Sequence, residues 1–192
     1  MPEPNAGPVW GVLLAAGGSR RLGRPKQKLR IQQSTVLEHA VAQAQAVFGH
    51  RLICVLGARA PQMPALPCHT LVNTDWQAGM ASSIAVGLRA TPRDCSVAML
   101  LCDQPRVGAE QLSRLLERFH HAPHQPAAAR YADRLGVPAI FPAGFRDGLL
   151  ALEGDRGAGK LLNGGDPVTA VDMPEAACDI DTKDDAARLT DG

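Results

Sequence analysis

Two spacings of apolar residues alternate along this chain. Val9 to Ala16 is almost continuously apolar, the pattern of a strand in a parallel sheet covered on both faces. From Val36 to Phe48, apolar Val36, Leu37, Ala40, Val41, Ala44 and Val47 recur at helical spacing, with Ser34 or Thr35 as cap and Gly49 as stop. Arg51 to Leu56 reads as a second strand. Residues 58 to 69 are Pro-rich, with room for a short helix before a strand at His69 to Asn73. Asp75 to Leu88 starts as a loop and continues as a helix, with Ser82 and Ser83 in its first turn. Free backbone N–H groups there suit an anion or a polar base edge. Ser96 to Cys102 is a third buried strand and delivers Asp103 to its carboxyl end.

Gly108 to His120 is expected to be a helix with Leu112, Leu115, Leu116 and Phe119 on one face. Strands are then expected at Pro126 to Tyr131 and Val137 to Phe141, around a turn at Asp133 to Gly136. A helix at Phe145 to Leu152, a loop into a short helix at Gly154 to Leu162, a strand at Pro167 to Asp172 and a last helix at Asp184 to Leu189 complete the chain. Strands alternating with helices on short connections predict an α/β fold, a single-domain three-layer α/β/α sandwich. Residues 1–8 read as a flexible Pro- and Gly-rich N-terminus, and 9–192 as the domain.

Composition narrows the function. With 192 residues the chain is long enough to bury a core without disulfides or metals. A formal charge of +1 excludes a protein-wide grip on nucleic acid, so any anion site must be local. Aromatic residues make up only 4%, which argues against a base-stacking platform. Cys54, Cys68, Cys95, Cys102 and Cys178 are scattered, without metal spacing, and fit free thiols in a reducing, cytoplasmic setting. No apolar run is long enough for a membrane span.

That local anion site has a candidate in Val12 to Lys26, VLLAAGGSRRLGRPK, where a strand runs into paired glycines and then Arg20, Arg21, Arg24 and Lys26. Gly17 and Gly18 allow a tight turn and close approach to a ligand, and four cations suit a polyphosphate. Neither common glycine-rich pattern fits. The G-x-G-x-x-G fingerprint is absent, and Arg24 stands where a P-loop needs lysine. GDRGAGKL at Gly154 to Leu161 comes closer to a P-loop, but Leu161 lacks the hydroxyl and no strand precedes it. Asp103, in LLCDQP, arrives at the sheet edge to which the first strand delivers its loop, and an acid beside phosphates suits magnesium. The competing reading is a turn or helix cap before Gln104-Pro105. Asp179 and Asp181, in CDIDTKDD, offer a second acid; Asp181 could instead cap the last helix. His120, His121 and His124 read as a solvated helix end, and Trp76 as a seal on the core edge in preference to a residue packed beside a nucleotide.

LLAAGGSRRLGRPK resembles the L-A-[AG]-G-x-S-x-R-M-G-x-x-K motif of MobA-like nucleotidyltransferases, and further segments are similar to their molybdenum cofactor cytidylyltransferase branch. These are GRPKQ, NTDWQAGMASSIAVGL, LCDQP, GVPAIF, GDRGAGKLL and IDTKDDAARL, in the expected order from about residue 10 to the end. The resemblance implies a Rossmann-like, nucleotide-diphospho-sugar transferase-like fold. It implies transfer of CMP from CTP to molybdenum-molybdopterin, with release of pyrophosphate. Alternatives are guanylyl or other nucleotidyl transfer to a different phosphorylated acceptor, or a non-catalytic nucleotide-binding cofactor chaperone.

Residue by residue, the resemblance assigns Leu14, Ala15, Ala16, Gly17, Ser19, Asn73 and Ser82 to the nucleotide, with Asn73 near base or ribose. Arg21 and Lys26 would grip the triphosphate, while Asp103 and Asp181 would bind Mg2+. Ala16 stands where guanylyltransferases of the family have glycine, and its methyl group favours CTP. Gly79 to Ser83, Gly136 to Phe141 and Gly154 to Ala158 would face the acceptor. The implied partners are the two substrates and, transiently, a xanthine dehydrogenase-type molybdoenzyme or its maturation factor. Leu22 in place of Met, Cys102 in place of Gly and Lys183 in place of Pro depart from the pattern without removing a proposed ligand.

Overall fold

The computed structural model describes residues 7–19, 22–31, 33–57, 60–180 and 185. Its first strand, β1 (Val9–Ala15), is hydrogen-bonded in parallel to β4 (Leu52–Leu56) on one side and β6 (Ser96–Leu101) on the other. A short hairpin, β2 (Arg30–Ile31) with β3 (Ser34–Thr35), precedes α1 (Val36–Phe48). Thr35 caps that helix: its Oγ1 accepts from Glu38 N–H at 3.2 Å, and the Glu38 carboxylate accepts from Thr35 N–H at 2.8 Å.

Beyond β4, β5 (His69–Val72) adds a parallel edge. Helix α2 (Met80–Arg89) leads to β6, and α3 (Ala109–His121) leads to β7 (Ala127–Tyr131). Next come β8 (Arg134–Phe141), α4 (Arg146–Leu150), α5 (Gly159–Leu162) and β9 (Thr169–Asp172). Among the described residues, seven strands form one sheet in the order β5-β4-β1-β6-β8-β7-β9. Only β8 runs against the others: it enters between β6 and β7, antiparallel to both, and β9 lies parallel to β7.

Side chains alternate across β1 and divide the core in two. Leu13 and Ala15 pack with Leu37, Val41, Phe48, Leu112, Leu115 and Phe119 of α1 and α3. Val12 and Leu14 face Ile84 and Leu88 of α2 and Leu149 of α4. Both faces of the central strands are therefore covered, which is why they read as unbroken apolar runs. Gly87 sets how closely α2 approaches: a Cβ there would overlap Val12 Cγ1 and sit 3.2 Å from Val55 Cγ2. Arg146 ties α4 to the end of the same helix by donating to the Leu88 and Thr91 carbonyls.

The expected turn at Asp133 to Gly136 is corrected. The hairpin turns on Ala132 and Asp133, both at positive φ (47° and 57°), and β8 already begins at Arg134. Gly136 instead lies within the strand opposite Ala129, because the Tyr131 phenol occupies the space a side chain would need. The last helix expected at Asp184 to Leu189 lies outside the described residues, apart from Asp185, which is helical. No helix among the described residues is long and apolar enough to cross a membrane.

Gly87→Ala is expected to destabilise the protein despite alanine's higher helix propensity. Val12 is fully buried and β-branched, so the helix must shift outward at a cost of about 1–3 kcal/mol. Urea denaturation with an unchanged m-value would measure the loss, and an equal or higher midpoint would refute the packing argument.

Candidate active site

Because β1, β4 and β6 are parallel, Ala16, Gly57 and Cys102 all emerge at one edge of the sheet. A cavity of about 370 Å³ opens there, lined by the β1 loop, Trp76, Met80, Ser83 and Asp103 among others. The loop is built by its own polar groups. Ser19 adopts a positive φ of 51°; its carbonyl accepts from Gly23 N–H at 3.2 Å, and its Oγ accepts from Lys26 N–H at 3.0 Å. These two bonds tie Ser19 to Gly23 and to Lys26, where a 3₁₀ turn, Lys26–Lys28, begins.

The Lys26 ammonium forms an ion pair with Asp103 Oδ2, both side chains being 15% exposed. Asp103 Oδ1 is buried without a hydrogen-bond partner. A lone buried carboxylate oxygen facing no donor suits a hard cation, which takes oxygen ligands. The backbone beneath is fixed, since Cys102 N–H donates to the Leu14 carbonyl at 3.2 Å and Ile180 N–H to the Asp103 carbonyl at 3.0 Å. Burial pushes the Cys102 thiol up to about 12, with the adjacent Asp103 charge adding to the effect and Lys26 opposing it. Cys102 is thus a packing residue, not a nucleophile.

Leu14, Ala15, Ala16, Gly17, Ser19, Lys26 and Asp103, all singled out in the sequence, line this cavity together. Arg21 and Asp181 lie outside the described residues. Asn73 and Ser82 form a layer behind the wall. Asn73 is 2% exposed; its Nδ2 donates to Ser82 Oγ and Ser83 Oγ at 2.8 and 2.9 Å, and its Oδ1 accepts from Asp75 N–H at 3.0 Å. It holds the start of α2 against the end of β5. Arg24 is exposed and outside the cavity.

Trp76 corrects the sequence expectation of a seal on the core edge. Its ring lines the cavity and packs over Gly18, where a Cβ would come within 2.9 Å of it. Two glutamines were missed. Buried Gln27 donates from Nε2 to the carbonyls of Ala15 and Gly17, each at 2.9 Å, and so braces the loop. Buried Gln104 donates to the carbonyls of Val137 and Ala176 at 3.0 and 2.8 Å, tying β8 and a late turn to the Asp103 corner. A glutamine directly after a lysine or an aspartate carries no periodicity signal; only its position inside the GRPKQ and LCDQP motifs singled it out.

A second cavity, of about 360 Å³, shares Leu14, Met80, Leu101 and Asp155 with the first. Its floor is apolar, with Ile84, Met99 and Val137, and its rim carries Arg134, Asp179 and Asn163. Arg134 stands over the Tyr131 ring, 5.6 Å from its centroid. The 154–158 loop joins the wall through Ala81 N–H, which donates to the Gly154 carbonyl at 3.0 Å.

A mostly parallel α/β sheet with a polar cavity at its carboxyl edge, adjoining a second and more apolar one, defines the class. The chain belongs to the MobA-like NTP transferase family, whose domain matches residues 11–176. It is 36% identical over 168 residues to the nicotine blue oxidoreductase of Paenarthrobacter nicotinovorans, covering 80% of this chain and 81% of that one. To a molybdenum cofactor guanylyltransferase of Syntrophotalea carbinolica it is 28% identical, covering 77% and 68%. Among solved structures, Rv0371c of Mycobacterium tuberculosis H37Rv superposes with a TM-score of 0.79 at 34% identity, covering 96% and 98%. A complex of Rv0371C with manganese superposes at 0.77 with 35% identity, covering 96% and 98%.

The buried thiol gives a direct check on the site's geometry. At pH 8 a thiol reagent should label half-buried Cys68 and Cys178 first and leave Cys102 unmodified until denaturant is added. Labelling of Cys102 in the folded protein at the rate of a free thiol would contradict its placement under the site.

Proposed function

We propose that the protein transfers CMP from CTP to the phosphate of molybdenum-molybdopterin, releasing pyrophosphate and forming the cytosine dinucleotide of the cofactor. The observation that carries this reading is the pair of adjoining cavities. One is polar and holds Lys26 and Asp103, while the other is floored by apolar residues and rimmed by polar ones. Nucleotide donor and phosphorylated acceptor need such a pair, meeting at one shared wall. The fold, the family and a relative named molybdenum cofactor guanylyltransferase support the chemical class. Ala16, buried in the cavity wall, favours cytosine over the larger guanine.

In the reaction, an oxygen of the acceptor phosphate attacks the α-phosphorus of CTP and forms a new P–O bond. The bond between the α-phosphorus and its bridge to the β-phosphate breaks, and the electron pair leaves with pyrophosphate. No side-chain nucleophile is required, because a phosphate monoester is already anionic at neutral pH. Lys26 is freed from Asp103 to neutralise charge growing on the β- and γ-phosphates, with Arg21 as its proposed companion. Asp103, through Oδ1, and Asp181 would hold Mg2+, which supplies charge neutralisation at the phosphates when bound. The unpartnered oxygen of Asp103 and the manganese complex of a homologue support that assignment. Leu14 and Leu101 form the shared wall against which the two substrates align.

A second reading comes from the relative named nicotine blue oxidoreductase: the apolar cavity would take a flat conjugated substrate and the polar one a reduced nucleotide. Hydride transfer has no need of a lysine–aspartate pair at the phosphate end, and this favours the transferase. Incubation with Mg2+, molybdenum-loaded molybdopterin and each nucleoside triphosphate tests both. Pyrophosphate release with CTP is expected, and Lys26→Ala should lower it by roughly 10²- to 10³-fold, as removal of one preorganised charge-stabilising donor does. Release with GTP alone would overturn the cytidylyl assignment. Oxidation of a reduced nicotinamide nucleotide with no pyrophosphate release from any triphosphate would overturn the transferase.

A further inference from the structure

Three buried side-chain oxygens in the described residues lack a hydrogen-bond partner: Gln27 Oε1, Asp103 Oδ1 and Glu175 Oε2. Gln27 and Asp103 both line the first cavity. The Asp103 oxygen has a role in the transfer described above, but the Gln27 oxygen has none. Gln27 is 2% exposed, and its amide orientation is fixed by chemistry. Nε2 donates to two carbonyls, at Ala15 and Gly17, and reversing the amide would set oxygen against both. Oε1 is therefore a committed acceptor, and burying it unmet is unfavourable unless something arrives to donate.

The donor's chemical class follows from the ligand the cavity is proposed to take. An ionised triphosphate offers acceptors only, so the hydrogen must come from the nucleoside, as an N–H of the base or an O–H of the ribose. The placement of Gln27 agrees. In a 3₁₀ turn of three residues, neighbouring side chains diverge by about 120°. Lys26 accordingly reaches Asp103 while Gln27 reaches the carbonyls on either side of Ala16, at the end of β1. One dipeptide thus serves both ends of a nucleotide.

We propose that Gln27 is a nucleoside-recognition residue: Oε1 accepts a hydrogen bond from the base or ribose of the bound nucleotide, while Nε2 holds the loop carrying Ala16. This rests on the nucleotide reading of the first cavity. It adds a specificity contact that Asn73 and Ser82, bonded to each other behind the wall, do not supply.

Binding of CTP and of tripolyphosphate, each with Mg2+, separates recognition from loop support. Calorimetry or the fluorescence of Trp76 reports both ligands. Gln27→Met, similar in length but without acceptor or donor, should weaken CTP roughly tenfold and leave tripolyphosphate within about twofold. Equal losses for the two ligands would reduce Gln27 to a brace for the loop, and no loss for either would remove it from the site; both overturn the proposal. Should the variant fail to fold, wild-type protein with UTP, 2′-deoxy-CTP and 3′-deoxy-CTP asks the same question from the ligand side. At least one is expected to bind roughly tenfold more weakly than CTP, and three unchanged affinities would overturn the proposal. Wild-type protein that binds no nucleoside triphosphate would instead overturn the nucleotide reading itself.

Discussion

Parallel pairing of β1 with β4 on one side and β6 on the other is the constraint on which the rest of the molecule depends. Parallel neighbours cannot be joined by tight hairpins, so each connection must leave the sheet, cross as a helix and return to the same starting edge. All three strands then end together. Ala16 and Asp103 thereby line one cavity although dozens of residues separate them in the chain. The crossing helices bury both faces, which makes these strands the most apolar part of the sequence and the least tolerant of displacement.

The reversed strand β8 serves the site in a different way. By returning antiparallel beside β6, it brings Arg134 to Val137 alongside the carboxyl ends of the parallel strands and so builds one wall of the second cavity. Gln104 fastens this arrangement. Its single amide bonds a β8 carbonyl and a carbonyl of the late 174–177 turn, next to the carboxylate that pairs with Lys26. The two cavities are therefore not independent: the residue after Asp103 sets the position of the strand that borders the second one.

Much of this was legible in the sequence because it is governed by burial. The strands of the parallel half, α1, α2 and α3 were readable from periodicity and caps, since apolar spacing reports which face of an element leaves water. Ser34 or Thr35 marked a helix start before any tertiary contact is considered. The direction of β8 was not readable, because an apolar strand carries no record of its neighbour's polarity. Its turn was misplaced because Gly136 looked like a turn glycine, whereas its lack of a side chain makes room for Tyr131. In the site, Lys26 and Asp103 stood out as charges at strand ends, but Gln27 and Gln104 act through amide bonds to distant carbonyls that no local pattern announces. The membership of Trp76 in the cavity wall likewise depends on Gly18, 58 positions earlier in the chain.

The ion pair between Lys26 and Asp103 has a consequence for which molecules the site will admit. A bare anion such as inorganic phosphate can take Lys26 only by stripping Asp103 of its counter-charge in a poorly hydrated place, and a bare divalent ion meets the converse obstacle from the ammonium. A ligand carrying both signs, an anion already chelated to its cation, exchanges each half of the pair for a new partner at once. The resting pair in this sense favours an ambipolar ligand over a lone anion or a lone cation.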